Sequence, residues 1–211
     1  MKNILVISPH PDDEAIGCGG TLRKHILEGD IVEVIFLTSG EKGGHGSSEE
    51  ETIHIREQES FDAADILGIS KIDFWREPDG AFQASDKNVM RLAEKIKAFL
   101  PAVIYAPHEK EEHPDHREAA RLVSLAMDRL TRAMDKPQVW LYEVWIPIQK
   151  MDLIIDITSF AELKRTAIQA YQSQCSVLAF DEAILGLNRY RGEMHCWPEG
   201  EFAEVFTTMT K

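Results

Sequence analysis

The chain has 211 residues, 44% of them hydrophobic, which suits one large domain over 1–211 that buries its own core without staples. Its 36 acids against 23 bases leave a formal charge of −13, which repels phosphate backbones and anionic lipid and argues against nucleic acid as a partner. Cys18, Cys175 and Cys196 form no C-x-x-C pair, and the N-terminal apolar run is broken by Pro9 and charges, so a reduced, cytoplasmic protein without membrane insertion is expected.

Apolar, β-branched runs alternate with helix-period segments along the chain, the pattern of parallel strands joined by crossover helices. Strands are predicted over Asn3 to Ser8, Ile31 to Thr38, Ile72 to Arg76, Ala102 to Ala106, Val139 to Trp145 and Leu153 to Ile157. Helices are predicted over Ile16 to Glu28, Glu49 to Leu67, Asp86 to Phe99, Asp115 to Arg132 and Phe160 to Gln172. Ser48-Glu49-Glu50-Glu51 is a capping box, in which the Ser accepts backbone N–H bonds and Glu51 reaches back, so it marks a helix start. Gly40 to Ser48 holds four glycines just after the second strand and reads either as a mobile lid or as an ordinary flexible loop. Leu187 to His195 and the Trp197-Pro198-Glu199-Gly200 turn show no usable periodicity. The expected architecture is a Rossmann-like three-layer α/β/α fold with a mostly parallel sheet.

Two segments carry chemistry. His10-Pro11-Asp12-Asp13-Glu14 follows the first strand, and His113-Pro114-Asp115-His116 follows the fourth. Ligands bind at the carboxyl ends of strands in open α/β sheets, so two such clusters at strand exits can meet at one point. Together they offer enough N and O donors for a catalytic metal site with a position left for water. His10 and Asp13 are three apart across a proline turn, and His113 and His116 can share a face of a helix that Pro114 opens. Of the adjacent Asp12 and Asp13, one can ligate while the other handles a proton. If His116 completes the donor set, His113 is free to bind an oxyanion or protonate a leaving amine, and Asp115 can fix a histidine tautomer. Gly17-Cys18-Gly19-Gly20 lacks the G-x-G-x-x-G spacing, so a nucleotide-binding regulatory module is the weaker reading.

The two motifs resemble those of the PIG-L/LmbE-like zinc-dependent N-acetylglucosamine deacetylases. The resemblance runs from Ile4 to about Phe206 through Leu37-Thr38-Ser39-Gly40-Glu41, Arg56-Glu57-Gln58-Glu59, Pro78-Asp79-Gly80, Tyr142-Glu143 and Ser173-Gln174. It implies Zn2+ held by His10, Asp13 and His116, with Asp12 as general base and His113 stabilising the oxyanion or acting as acid. It further implies a small-molecule amino-sugar substrate, with a thiol-conjugate amidase on the same site as the alternative, and a homo-oligomer of three or six chains. Arg56 reads as a substrate contact or as a surface partner of Glu59, and Asp79 as a sugar-hydroxyl acceptor or an ordinary Asp-Gly turn. Glu14 reads as support behind the ligands or as a helix cap. Tyr171 stands where relatives often carry histidine, and Arg191-Gly192 partly matches an Arg-Gly of relatives.

Overall fold

The computed structural model describes residues 1–130, 136–198 and 200–209. Seven strands form one sheet: β1 (Asn3–Ser8), β2 (Ile31–Phe36), β3 (Lys71–Phe74), β4 (Val103–Pro107), β5 (Gln138–Tyr142), β6 (Leu153–Asp156) and β7 (Ala203–Thr207). Their spatial order is β3-β2-β1-β4-β5-β7-β6. The first five pair in parallel, and β7 runs antiparallel to both β5 and β6. The helices are α1 (Asp13–Leu27), α2 (Glu49–Leu67), α3 (Asp86–Phe99), α4 (Pro114–Asp128), α5 (Ala161–Ala170), α6 (Gln172–Cys175) and α7 (Phe180–His195). None of the described helices is long and apolar enough to cross a membrane.

β1 shows why a continuous apolar run makes a central strand. Ile4 and Val6 point into one core layer with residues of α1, α2 and α5, while Leu5 and Ile7 point into the other with residues of α3 and α4. Both faces are dry, so no polar residue alternates. The order of connection reverses between β1 and β4, which pair directly (Ile4 with Val103, Val6 with Tyr105), and a crevice opens at their carboxyl ends.

Several expected boundaries move for physical reasons. α1 begins at Asp13 rather than Ile16, which puts Asp13 and Glu14 in its first turn. β5 stops at Tyr142 because the N–H groups of Val144, Trp145 and Ile146 turn away to the carboxylate of Glu111. β3 stops at Phe74, two residues before Arg76 at φ 54°. α4 ends at Asp128, and positions 131–132 of the expected helix lie outside the described residues. The helix expected over Phe160 to Gln172 divides at Tyr171 into α5 and α6.

The glycines of α1 set how closely it lies on the sheet. A Cβ at Gly17 would stand 2.2 Å from the ring of Tyr142, which is fully buried and donates its hydroxyl to Ile7 O at 2.8 Å. One at Gly20 would meet Ile157 at 2.8 Å. Just beneath, Glu204 of β7 accepts the N–H groups of Gly20 and Thr21 at 2.9 and 2.8 Å, and Lys164 bridges Glu204 and Ile16 O. These glycines therefore serve packing. Gly17→Ala should cost about 1–3 kcal/mol through overpacking. Gly19→Ala, whose new methyl would find its nearest neighbour at 3.5 Å, should be neutral or gain up to about 1 kcal/mol in helix propensity. Urea midpoints of the two variants check this, and equal effects would defeat the packing explanation.

Candidate metal centre

The turn after β1 delivers three acids to one place. Asp12 sits at φ 119°, a left-handed conformation that costs a non-glycine residue about 1–3 kcal/mol. This backbone lets consecutive carboxylates diverge and both reach one cavity, which Asp12 and Asp13 line together. The conformation is held from several sides. Asp12 N donates to Glu14 Oε2 at 3.3 Å, His10 N donates to Asp13 Oδ2 at 3.0 Å, and Arg56 donates to Pro11 O at 2.5 Å and to Asp12 Oδ2 at 3.0 Å. Glu14 in turn accepts the Tyr171 hydroxyl at 2.6 Å and that of Ser8 at 3.4 Å. The buried Tyr171 hydroxyl thus braces the turn from behind.

The exit of β4 supplies the other half. His113 caps α4, its Nδ1 accepting from Asp115 N at 3.3 Å, and Pro114 opens the helix. With Nδ1 occupied as an acceptor, the proton of a neutral His113 ring lies on Nε2. One turn on, fully buried His116 points back towards β1.

Three donor atoms from the two halves converge. His10 Nδ1 lies 3.2 Å from Asp13 Oδ2 and 3.2 Å from His116 Nε2, and His116 Nε2 lies 3.1 Å from Asp13 Oδ2. Ligands about 2.0 Å from a tetrahedral ion are separated by roughly 3.3 Å, so this triangle has the size of one face of such a site. The ring of His113 is adjacent, its centroid 4.6 Å from that of His10 and 5.2 Å from that of His116.

Carboxylates stand behind the imidazoles. His10 Nε2 lies 3.1 Å from Asp79 Oδ1 and 3.3 Å from Asp115 Oδ2, which leaves Nδ1 as the atom facing the triangle. Asp115 is itself fixed by the N–H groups of Gly80 and Phe82. Glu111, which the sequence reading missed, lies 3.7 Å from His116 Nδ1. Its only signal was the acidic run just before His113. His116 Nδ1 has no hydrogen-bond partner, and Glu111 is the nearest group able to orient the ring.

The charges are tightly opposed. Burial disfavours a charged His10, but Asp115, Asp13 and Asp79 outweigh it and hold its pKa well above the usual histidine value. Burial likewise opposes charge on His116, yet Asp13 raises it to about 9. Asp13 is held far below the carboxylate range, since the two histidines overcome its burial. Asp12 is pushed up to about 7 by burial, against the pull of Arg56. His113 is lowered by burial and by its two imidazole neighbours. A divalent cation on the triangle would replace protons that these histidines otherwise carry.

Arg56 and Asp79 do more inside the protein than a substrate contact requires. Arg56 is 4% exposed, and besides Pro11 and Asp12 it donates to Gly40 O at 3.0 Å. The expected surface pair with Glu59 is absent from its contacts, because Glu59 turns to Ser173. Asp79 binds His10 through one oxygen and Lys42 N through the other at 2.9 Å, and its own N–H reaches Glu41 Oε1 at 2.8 Å. The glycine loop is therefore tied down on its inner side, with Gln174 Nε2 donating to Gly43 O at 3.1 Å and the Ser48–Glu51 capping box closing its far end. That anchoring supports a fixed wall rather than a lid.

A family model described as PIG-L, GlcNAc-PI de-N-acetylase, matches residues 5–127. The chain is 29% identical over 190 residues to the diacetylchitobiose deacetylase of Thermococcus kodakarensis, covering 82% of this chain and 70% of that one. It is 29% identical over 194 residues to a probable N-acetyl-alpha-D-glucosaminyl L-malate deacetylase 2 of Bacillus cereus, covering 85% and 87%. A 4-oxalmesaconate hydratase of Pseudomonas putida is 27% identical over 193 residues, covering 82% and 74%. Among solved structures, the conserved protein TT1542 of Thermus thermophilus superposes with a TM-score of 0.85 at 31% identity, covering 100% and 95%.

If Arg56 braces the site, Arg56→Ala should destabilise the metal-free protein by about 3 kcal/mol, since it strands a buried carboxylate. The loss stays at the low end of that class because Asp12 can take up a proton. Urea unfolding at neutral pH measures it, and unchanged stability would return Arg56 to the role of a free substrate contact.

Proposed function

The chain belongs to the PIG-L family, and from that premise we propose that it is a metal-dependent hydrolase that removes the N-acetyl group from an N-acetylglucosamine-type amino sugar or its conjugate. The observation that carries this reading is the triangle of His10 Nδ1, Asp13 Oδ2 and His116 Nε2, with edges of 3.1 to 3.2 Å, beside a carboxylate and an imidazole that are not part of it. Two nitrogens and one oxygen suit zinc, and three protein donors leave a position open, as catalytic sites do. Zinc held there supplies water of lowered pKa and polarisation of the acetyl carbonyl.

The remaining steps belong to this chain's own residues. Asp12, raised by burial and with one oxygen held by Arg56, accepts a proton from the attacking water as its oxygen bonds to the acetyl carbon. His113 faces the same cavity with its proton on Nε2 and donates a hydrogen bond to the carbonyl oxygen as negative charge grows there. The carbon–nitrogen bond then breaks, the proton gathered by Asp12 passes to the departing nitrogen, and acetate and the free amine result. Asp79 and Asp115 keep His10 in the tautomer that presents Nδ1, and Glu111 stands behind His116.

Acetate release from zinc-loaded protein, measured over free N-acetylglucosamine, simple glycosides, a nucleotide-linked sugar and a sugar malate, tests the activity. Asp12→Asn should lower kcat about 10²- to 10⁴-fold while metal content stays near that of the native protein. Wild-type turnover in that variant would remove Asp12 as the base, and silence of the native protein across the panel would remove the deacetylase reading. His116→Ala should instead lose the metal, read directly as bound zinc per chain.

A further inference from the structure

The cavity that holds His10, Asp12, Asp13 and His113 measures about 340 Å³ and has two unlike walls. One is polar, with Lys42, His45 and Arg56. The other is apolar, with Trp145, Val177, Leu178 and Phe180. Trp145, Val177 and Leu178 are 48%, 52% and 53% exposed, whereas His10, Asp13 and His116 are 8%, 2% and 0% exposed, so the apolar wall stands at the mouth and the donors at the base.

This wall is built rather than loose. The rings of Trp145 and Phe180 meet edge to face with centroids 5.6 Å apart. Trp145 N donates to Glu111 Oε2 at 3.0 Å, the same carboxylate that stands behind His116. Val177 and Leu178 donate their N–H groups to Gln174 O, and the Gln174 side chain crosses to Gly43 on the polar side. The wall thus has a fixed position relative to the metal donors. Contiguous apolar surface held in this way beside a polar site marks a place for an apolar group.

Resting on the deacetylase reading, we infer that the wall of Trp145, Val177, Leu178 and Phe180 is the subsite for an apolar aglycone, so that the amino sugar carries aryl or alkyl surface on the group attached to it. Which end of the substrate reaches the wall follows from length. An acetyl group ends one carbon beyond the scissile carbonyl and stays among the donors at the base. The sugar and whatever it carries must extend outward to the mouth. The sugar hydroxyls face the polar wall, and the attached group lies on the indole and on Leu178.

The experiment compares methyl and phenyl N-acetylglucosaminides, each in both anomeric forms, as substrates of the zinc-loaded protein. It also compares methyl and phenyl glucosaminides, which cannot be deacetylated, as ligands in calorimetry. The native protein should favour phenyl over methyl by about tenfold in kcat/KM and in Kd, the effect of covering one ring. Trp145→Ala and Leu178→Asn should each cut that preference to about threefold or less, mainly through KM. Trp145→Phe, which keeps a ring on the wall, should retain most of it and so separates lost contact from misfolding. Acetate released equally from methyl and phenyl glycosides overturns the subsite and leaves the deacetylase standing. So does a variant that keeps the preference, or one that lowers the mass in solution without altering it, which would give the wall to a second copy of the chain. No acetate from either glycoside, nor from the free sugar, nucleotide-linked sugar and sugar malate, refutes the deacetylase reading, and the calorimetric preference then decides the subsite by itself.

Discussion

The site depends on one pairing, that of β1 with β4. His10 and His116 are separated by 106 positions, yet their ring nitrogens face each other at 3.2 Å. Neither local turn can bring that about. It follows from two parallel strands in register, Val6 opposite Tyr105, whose carboxyl ends finish together at the place where the sheet reverses its order of connection. α1 leaves from one strand end and α4 from close after the other, each with its donors in or just before the first turn. Features that hold these helices against the sheet therefore act on the site as well. Gly17 packed on Tyr142 and the Lys164–Glu204 pair under α1 are the clearest of them.

The same convergence creates an electrostatic problem that the fold solves only in part. Asp12, Asp13, Glu14, Asp79, Glu111 and Asp115 are all buried close together, and among the described residues the one arginine salt bridge to a carboxylate of this set is that of Arg56 with Asp12. Buried carboxylates need partners. Some find them in backbone N–H groups, as Glu111 and Asp115 do, and Glu14 takes a tyrosine hydroxyl. Among the described residues Asp13 is met by two histidine side chains and a backbone N–H, so its charge is balanced when those rings are protonated or when a cation takes the protons' place. The second arrangement satisfies both nitrogens and the oxygen with a single group, while burial alone already pushes Asp12 and Glu14 towards their neutral forms.

Sequence legibility follows how local each cause is. β1 and β4 were readable because both their faces are dry, and α2 because its capping box lies within four residues. The two histidine motifs were readable because their donors sit three apart. β7 was not, since a buried charge, Glu204, interrupts its apolar run, and its partner Lys164 comes from α5. α7 hid for a related reason: Asn188, Arg191 and Gly192 share its inner face with Leu185, Asn188 bonding Ala203 O and Arg191 bonding Glu143. A helix that packs through hydrogen bonds carries no apolar period. Position alone singled out Arg56 and Asp79 as candidate substrate contacts, but the partners the structure gives them lie 45 and 69 positions away, and nothing local names those.

The candidate donors and the cavity walls come from different parts of the fold. The donors and the candidate base stand on the parallel half, where strand register leaves little freedom. The walls of the cavity come from the segments after β2, β3 and β5, from Arg56 of α2, and from the stretch between α5 and the start of α7. A fold of this kind can keep one reactive centre while its walls change, and for that reason the fold alone does not assign a substrate. Glu111 couples the two parts, because one carboxylate both backs His116 and sets the turn that presents Trp145. A change at that turn therefore bears on the orientation of His116, a candidate metal donor. On the proposed reading, the hydrogen bonds that place the apolar wall are therefore the same ones that support the candidate donors.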